Sequence, residues 1–433
     1  MPSHQILLLG EGDLADEVRA ALETLDADVV RLVKPTQREV GEVFDRGGVE
    51  RAIVVSSDDA FALRTALMVR DADSDVELFV TYDDQETSEQ LCERIGNCRV
   101  VSMAGIVAPT LAGPCLDENL GAVKVSDGRV VGVSVEGEDL DESEVDLPHR
   151  HRVRSLLRAL FLPYDKSAAL LFYGLIGLLV ILVVETVSAS IVLDQSIVDS
   201  FYGAAKTLVT VDPNDKVADG PGWFKTFVAV LMLVALVFEA FFTAGIVNRL
   251  IGRRLTGLIG RRAVPRRDHV IVVGMGQVGL RLCLLLRECG IAVVAIDDQE
   301  EGENVGYARE AGLPVVIGRG GDPSLLHRLS LGKALAIAAV TDNDVENLSI
   351  GMSALSIEED ARIVLRVGDG RLANETRSLF KIGIVRDVHR IAASLIAAQA
   401  TGSKANAVLC HDDRTHLVHE DGTVEEAALA AST

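Results

Sequence analysis

The hydrophobic pattern along the chain changes period twice. Short apolar runs such as LLLG (residues 7–10) and HVIVV (269–273) are followed by stretches with apolar residues three and four apart. That alternation predicts βαβ units with parallel sheets at both ends of the chain. Between them the alternation stops. Ser167 to Val184 is an uncharged, mostly apolar run of 18 residues that continues past Glu185 to Leu193, and Thr226 to Val247 is a second run of 22 residues broken only by Glu239. About 20 residues of helix cross about 30 Å of hydrocarbon, so two spans forming a membrane hairpin are expected. A buried helix of a soluble core has the same composition, but two such runs make that the poorer reading.

Charge sets the expected orientation. The segment His149-Arg-His-Arg-Val-Arg precedes the first run, and Arg249, Arg253, Arg254, Arg261, Arg262, Arg266 and Arg267 follow the second. The segment between them, Leu193 to Trp223, carries two lysines and five aspartates. Positive charge collects on the cytoplasmic side, so both termini are expected in the cytoplasm, with the plasma membrane as location. Residues 150–161 (RHRVRSLLRALF) are expected to lie in the lipid interface. The mean hydropathy of +0.28 alongside 24% charged residues fits soluble α/β material joined to an apolar segment. A net charge of −22 excludes nucleic acid as a partner, since phosphate neutralisation needs clustered Lys and Arg. The six cysteines show no CxxC spacing, as expected of thiols in a reducing compartment, and no basic n-region precedes the first strand-like run.

The C-terminal α/β segment carries a ligand motif. Gly274-Met275-Gly276-Gln277-Val278-Gly279 follows HVIVV, opens a helical stretch, and is followed by IAVVAI ending in Asp297. Glycines at this spacing allow a tight turn and close approach of a pyrophosphate to the helix N-terminus, and an acid about 20 residues on accepts from ribose hydroxyls. Asp322, after VVIGRGG, is a further candidate contact. The expected cofactor is NAD(H) or an adenine nucleotide, ATP or ADP, with a regulatory cation as an additional candidate. An empty, structural Rossmann turn is the alternative. The strand–helix succession over residues 268–400 resembles the RCK, or TrkA-N, domain of potassium channels and transporters. In that family G-D follows the third strand, whereas Arg-Gly-Gly here separates Gly318 from Asp322.

The same pattern occurs twice. Residues 7–33 align without gaps on 271–297 at an offset of 264, and residues 52–115 on 336–399 at an offset of 284, which places a 20-residue deletion near the third strand and its helix of the first copy. In that copy Ala15 replaces the third glycine and Val33 replaces Asp297, so it is expected to bind nucleotide poorly and to act as a structural partner. Residues 122–137 read as a hairpin about an Asp-Gly turn, and residues 407–424 have similar character. His411, Asp412, His416 and His419 are of metal-ligating type, but a solvated hairpin edge is the better reading of them. The acidic run 136–146 reads as a solvated linker.

The segment between the spans, SIVDSFYGAAKTLV followed by Thr210-Val211-Asp212-Pro213-Asn214-Asp215, resembles the pore helix and filter of two-transmembrane potassium channels, whose pattern is T-x-x-T-V-G-Y-G-D. Thr207, Thr210, Val211 and Asp215 stand at matching positions, while Asp212, Pro213 and Asn214 replace the central G-Y-G. Pro213 fixes φ near −65° and restricts Asp212, so the ladder of backbone carbonyls that selects potassium is not expected in its usual shape. The resemblance implies a tetramer with a ring of Asp212 near the axis, a geometry suited to cations. The CASTOR and POLLUX channels are similar in pairing a non-GYG pore with Rossmann-like domains, although they place those domains after the spans. At about 1.5 Å per residue, Glu185 lies about 27 Å beyond Ser167 and Glu239 about 24 Å from Trp223. Glu239, on the span expected to line the pore, is a candidate ion-path residue; Glu185 is equally a packing residue.

The expected architecture is therefore a membrane α-helical hairpin with a re-entrant pore loop, plus two α/β Rossmann-like domains with parallel sheets. Its parts are a degenerate first copy (1–118), a β-hairpin and acidic linker (119–148), a basic interfacial helix (149–166), and two transmembrane helices (167–193 and 223–251) around a pore segment (194–222). A basic linker (252–267), the nucleotide-binding copy (268–402) and a C-terminal hairpin and tail (403–433) complete it. The expected function is a homotetrameric cation channel with a non-potassium-type filter and a ring of eight RCK domains, gated by nucleotide or ion binding to those domains; its partners are lipid and permeant cations. The alternative is a non-conducting membrane nucleotide sensor or regulatory subunit of a cation transporter. An enzyme is not expected, because no acid–base group with a substrate pocket accompanies the dinucleotide motif.

Overall fold

The computed structural model describes residues 5–56, 58–83, 94–126, 128–136, 139–145, 166–208, 215–251, 265, 267–377, 382–411 and 414–427. The chain divides into two compact units, residues 1–149 with 265–433, and residues 150–264.

The first copy runs β1 (Gln5–Gly10), α1 (Asp13–Thr24), β2 (Asp28–Leu32), α2 (Gln37–Asp45), β3 (Val49–Val55), α3 (Asp59–Ala72), β4 (Glu77–Thr81), β5 (Cys98–Val101) and α4 (Met103–Leu116). Its five strands are parallel in the order β2-β1-β3-β4-β5. Helices on both faces bury Leu7, Leu8, Leu9, Ile53 and Val54 completely, which explains why these strands read as continuous apolar runs rather than alternating ones. Helix α2 starts on a capping box, with Thr36 and Glu39 satisfying each other's backbone N–H. A three-stranded antiparallel sheet follows: β6 (Ala122–Ser126), β7 (Arg129–Glu136) and β8 (Asp139–Glu144).

The membrane unit follows. Helix α5 (Lys166–Val192), the shorter α6 (Ile197–Leu208), a 3-10 turn (Asp215–Asp219) and α7 (Gly222–Ile251) make it up. Helices α5 and α7 approach closely through small residues: a Cβ on Gly174 would come within 2.7 Å of Phe242 N, and one on Gly177 would run into the Phe238 ring. Helix α6 lays its small-residue face, Ser200, Gly203, Ala204 and Thr207, against α5. Only 22% of the apolar stretch Tyr173–Val192 and 11% of Gly222–Ala244 is buried. Leu179, Val183, Leu233 and Val237 all face outward. A core helix of a soluble domain would be covered, so this composition and exposure are those of helices solvated by lipid.

The second copy comprises β9 (His269–Val273), α8 (Gln277–Glu288), β10 (Ala292–Asp297), α9 (Glu303–Glu310), β11 (Val315–Ile317), α10 (Pro323–Arg328), β12 (Ala336–Ala339), α11 (Asp344–Ile357), β13 (Ile363–Val367), α12 (Gly370–Glu375), β14 (Ile384–Asp387) and α13 (Val388–Ala400). Its parallel sheet has the order β11-β10-β9-β12-β13-β14. The first copy passes from β2 through α2 directly to β3, where this copy inserts β11 and α10. The missing third strand and helix are the deletion that the two alignment offsets place there. A second small sheet closes the chain, β15 (Ala405–His411), β16 (Arg414–His419) and β17 (Val424–Glu426).

Two sequence expectations change. Residues 119–148 are not a hairpin with an acidic linker, because Asp139–Glu144 pairs antiparallel with β7. Leu140 lies opposite Val135 and packs with Val133 and Val135, while Asp141 on the other face is exposed. The C-terminal hairpin likewise gains β17 as a third strand.

The two copies share one core. Helix α4 of the first packs on α8 of the second, and α13 of the second packs on α1 of the first. Each copy's last helix thus covers the other's first, a reciprocal exchange. The small sheets also meet, through Ala122, Val133, Val135 and Leu409.

Candidate functional site

The candidate site sits at the carboxyl edge of the second sheet, between β9 and β12, where the strand order reverses, the place at which open α/β sheets take ligands. Strand β9 is fully buried, and the chain leaves it at Gly274 with φ +98. A Cβ there would come within 2.8 Å of Thr341 N, so only glycine lets the turn pass β12's end. At Gly279 a Cβ would lie 1.9 Å from Gly274 O, which makes this glycine the contact between helix and strand. Gly276 is the opposite case: a Cβ there meets nothing within 4 Å. The open space lies over the start of α8, whose N-cap is Gly276 with no side-chain cap, so first-turn N–H groups remain free for an anion. Met275 and Val278 are buried core residues and Gln277 is exposed. The motif thus divides into turn, packing and approach.

Asp297 ends β10 beside this turn. Its Oδ2 accepts from Met275 N and its Oδ1 from Gln299 N, both at 2.8 Å. The carboxylate is therefore oriented at this edge with lone pairs to spare. Asp322 is used differently. It caps α10, accepting from Ser324 N at 2.9 Å and from the Ser324 hydroxyl at 3.1 Å, and these bonds hold its carboxyl below the usual range.

Sequence reasoning missed the far wall of the site. Asn347 is fully buried and uses its whole amide: Oδ1 accepts from Thr341 N and Thr341 Oγ1, while Nδ2 donates to Thr341 O and Arg366 O. Arg366 in turn donates to Thr341 O at 2.9 Å, and burial lowers the pKa of its guanidinium. Asp344 accepts from Gly368 N and Asp369 N. The Asp-x-x-Asn spacing directly after β12 was the available signal.

The equivalent turn of the first copy is electrostatically opposite. Glu11 stands between its glycines and pairs with Lys34 at 2.9 Å, Asp13 and Asp16 occupy the first turn of α1, and Asp16 pairs with Arg31. Ala15 is buried and Val33 is 49% exposed. Acids at the start of a helix oppose an anion there, which adds to the departures at Ala15 and Val33.

In the membrane unit the two candidate acids separate. Glu185 is 2% exposed, close to Thr207 of α6, and its Oε2 has no partner among the described residues. Glu239 is exposed on α7. Thr210, Val211, Asp212, Pro213 and Asn214 lie outside the described residues, as does residues 150–161, and Asp215 opens the 3-10 turn. Among the described residues no three His, Cys, Asp or Glu side chains converge on a metal-like site; His416 is buried, and His419 lies 3.3 Å from Glu425.

Residues 270–386 match the TrkA-N domain. The match covers β9 to β14, so the glycine turn, Asp297 and the Thr341–Asn347 wall all belong to the TrkA-N domain. Along a longer stretch the chain is 25% identical over 216 residues, 49% of its length, to the voltage-gated potassium channel Kch of Escherichia coli, covering 51% of that channel. It is 23% identical over 203 residues, 45% of its length, to potassium channel protein 1 of Methanocaldococcus jannaschii, covering 59% of that protein. The chain thus spans little more than half the length of these relatives. A solved structure, the GsuK channel bound to NAD, superposes with a TM-score of 0.50 at 12% identity, over 92% of this chain and 64% of that one. At that identity the likeness concerns the fold alone.

Proposed function

We propose that the chain is the subunit of a tetrameric cation channel whose conduction is biased by an adenine nucleotide, NAD(H), ATP or ADP, on its TrkA-N copy. The observation that carries the reading is the joining, in one chain, of a helix pair bracketing a short amphipathic helix to a Rossmann pair with one intact glycine turn. Sequence similarity to two potassium channels supports it. Both termini lie in the cytoplasm in this reading, the ring contains eight Rossmann domains, and α6 is the pore helix of a re-entrant loop. The Asp212-Pro213-Asn214 stretch makes the pore cation-selective without potassium preference. Nucleotide acts by binding two shapes of the ring with different affinity, and Arg253–Arg267 carries the difference to α7.

Conductance of the purified protein in bilayers, with ion substitution and with or without NADH or ADP, tests this. Wild type is expected to pass cations, and Asp212→Asn is expected to alter selectivity. Demonstrably tetrameric protein that passes no cation would sink the channel reading and leave the non-conducting sensor. Unchanged selectivity in Asp212→Asn would sink the filter assignment alone.

A further inference from the structure

A nucleotide lying on the Gly274–Gly279 turn, with its ribose at Asp297, carries its base outward over the carboxyl ends of β10 and β11. The chain puts Arg319 there. The loop that bears it is fixed on three sides: Gly318 N donates to Asp297 O at 2.8 Å, Asp322 N donates to Arg319 O at 3.1 Å, and a Cβ on Gly320 would come within 2.1 Å of Val273 Cγ1. The backbone is thus pinned against β9 and β10, while the Arg319 side chain is exposed and has no polar partner among the described residues.

The surrounding charge narrows what the guanidinium can be for. The loops after β10 and β11 carry Asp297, Asp298, Glu300, Glu301 and Asp322 with Arg319 as their own cation, while Arg309 reaches the Glu300 carbonyl and Arg328 lies near Asp322 from the adjoining helices. A dianionic 2′-phosphate entering there meets these carboxylates, and Asp297 already occupies the position such a phosphate would need. A neutral aromatic ring meets no such repulsion. A planar guanidinium stacks on aromatic faces and attracts their π density.

We propose that Arg319 is the base-contacting residue of the site: its guanidinium lies on the adenine ring while Asp297 takes the ribose. The assignment rests on the nucleotide reading above. It gives a role to the Arg-Gly-Gly insertion that separates Gly318 from Asp322.

Calorimetric titration of the full-length protein in detergent with NAD, ADP and NADP tests it, using wild type, Arg319→Ala and Arg319→Lys. Stacking of this kind is worth about a factor of ten in affinity. Arg319→Ala is therefore expected to weaken NAD and ADP by about the same tenfold factor, and Arg319→Lys, which keeps the charge without the plane, is expected to recover only part of it. Wild type that binds NAD or ADP while Arg319→Ala binds equally well overturns the base contact and leaves the nucleotide reading standing. A loss confined to NADP also overturns it, because the guanidinium would then be serving a phosphate. Wild type that binds none of the three overturns both readings.

Discussion

Arg362, just ahead of β13, donates from Nη1 to the carbonyl of Leu116 at 2.6 Å, so the second Rossmann copy caps the last helix of the first. The relation is reciprocal. Arg51 on β3 donates from Nη1 to the carbonyl of Ala400 at 2.7 Å, and Leu116 and Ala400 end the equivalent helices α4 and α13. The last carbonyls of a helix have no partner within it, and here each copy supplies the cation that satisfies the other's. The exchange makes each copy part of the other's fold.

Removal of either arginine is expected to loosen the pair. A hydrogen bond from a charged donor contributes about 1.5–3 kcal/mol, so Arg362→Ala and Arg51→Ala should each lower unfolding stability by about that amount. The two bonds share no partner, so the double variant should lose nearly the sum. Denaturant unfolding of the detergent-solubilised protein reads this. Full stability in both single variants would show that the caps contribute nothing.

A titrating carboxyl lies in the same interface. Asp387 is 5% exposed, caps α13 by accepting from Arg390 N at 3.0 Å, and faces Glu17 of α1, with Arg390 and Arg377 as nearby cations. Burial pushes its pKa up to about 6, and burial also raises that of Glu17. Because the folded pKa exceeds the unfolded one, the folded state holds the proton more tightly. The resulting stability is present below about pH 4 and is lost as the pH rises to about 6. Asp387→Asn keeps the cap and removes the titration. It should flatten this part of the pH profile and, at neutral pH, be more stable than wild type by an amount on the order of 2 kcal/mol. Identical profiles for the two proteins between pH 4 and 7 would refute the assignment.

The glycine turn offers a sharper test of the ligand site. A Cβ at position 279 would lie 1.9 Å from Gly274 O, so Gly279→Ala must push α8 away from β9 and dislocate the open N–H groups above Gly276. Nucleotide affinity should fall more than about tenfold, while Ala15→Gly in the first copy should confer none, since Glu11, Asp13 and Asp16 remain. Titration with NAD or ADP separates the outcomes, and binding gained by Ala15→Gly would mean that acids do not disable that turn.

How much of this was legible in the chain differs by element. The parallel strands and spans are apolar runs whose length is set by the sheet or the bilayer, so residues such as Val270–Val273 and Leu182–Val184 announce them locally. The deletion of a strand was also legible, because it shifts one copy against the other by 20 residues. The third strand of each small sheet was not. Asp139–Glu144 looks like a solvated linker until β7 supplies the partner for its backbone. The wall built by Thr341, Asn347 and Arg366 depends on contacts between strands that no local pattern records, and the exchange of α4 and α13 depends on how two equivalent helices end.

Glu185 remains as an anomaly of the membrane unit. Its side chain is 2% exposed between α5 and α6, with Oε2 unpartnered among the described residues. A buried polar atom without a hydrogen bond costs about 1–3 kcal/mol, so stability alone would favour an apolar residue of similar size. Glu185→Leu is therefore expected to melt no lower than wild type and to be more stable by up to about 3 kcal/mol. If the carboxylate is retained for ion passage, the same variant should lose conductance while Glu185→Gln keeps part of it. Thermal melting of the purified protein and bilayer recording on one preparation measure both quantities. A variant that melts much lower than wild type and conducts normally would make Glu185 a packing residue and remove it from the ion path.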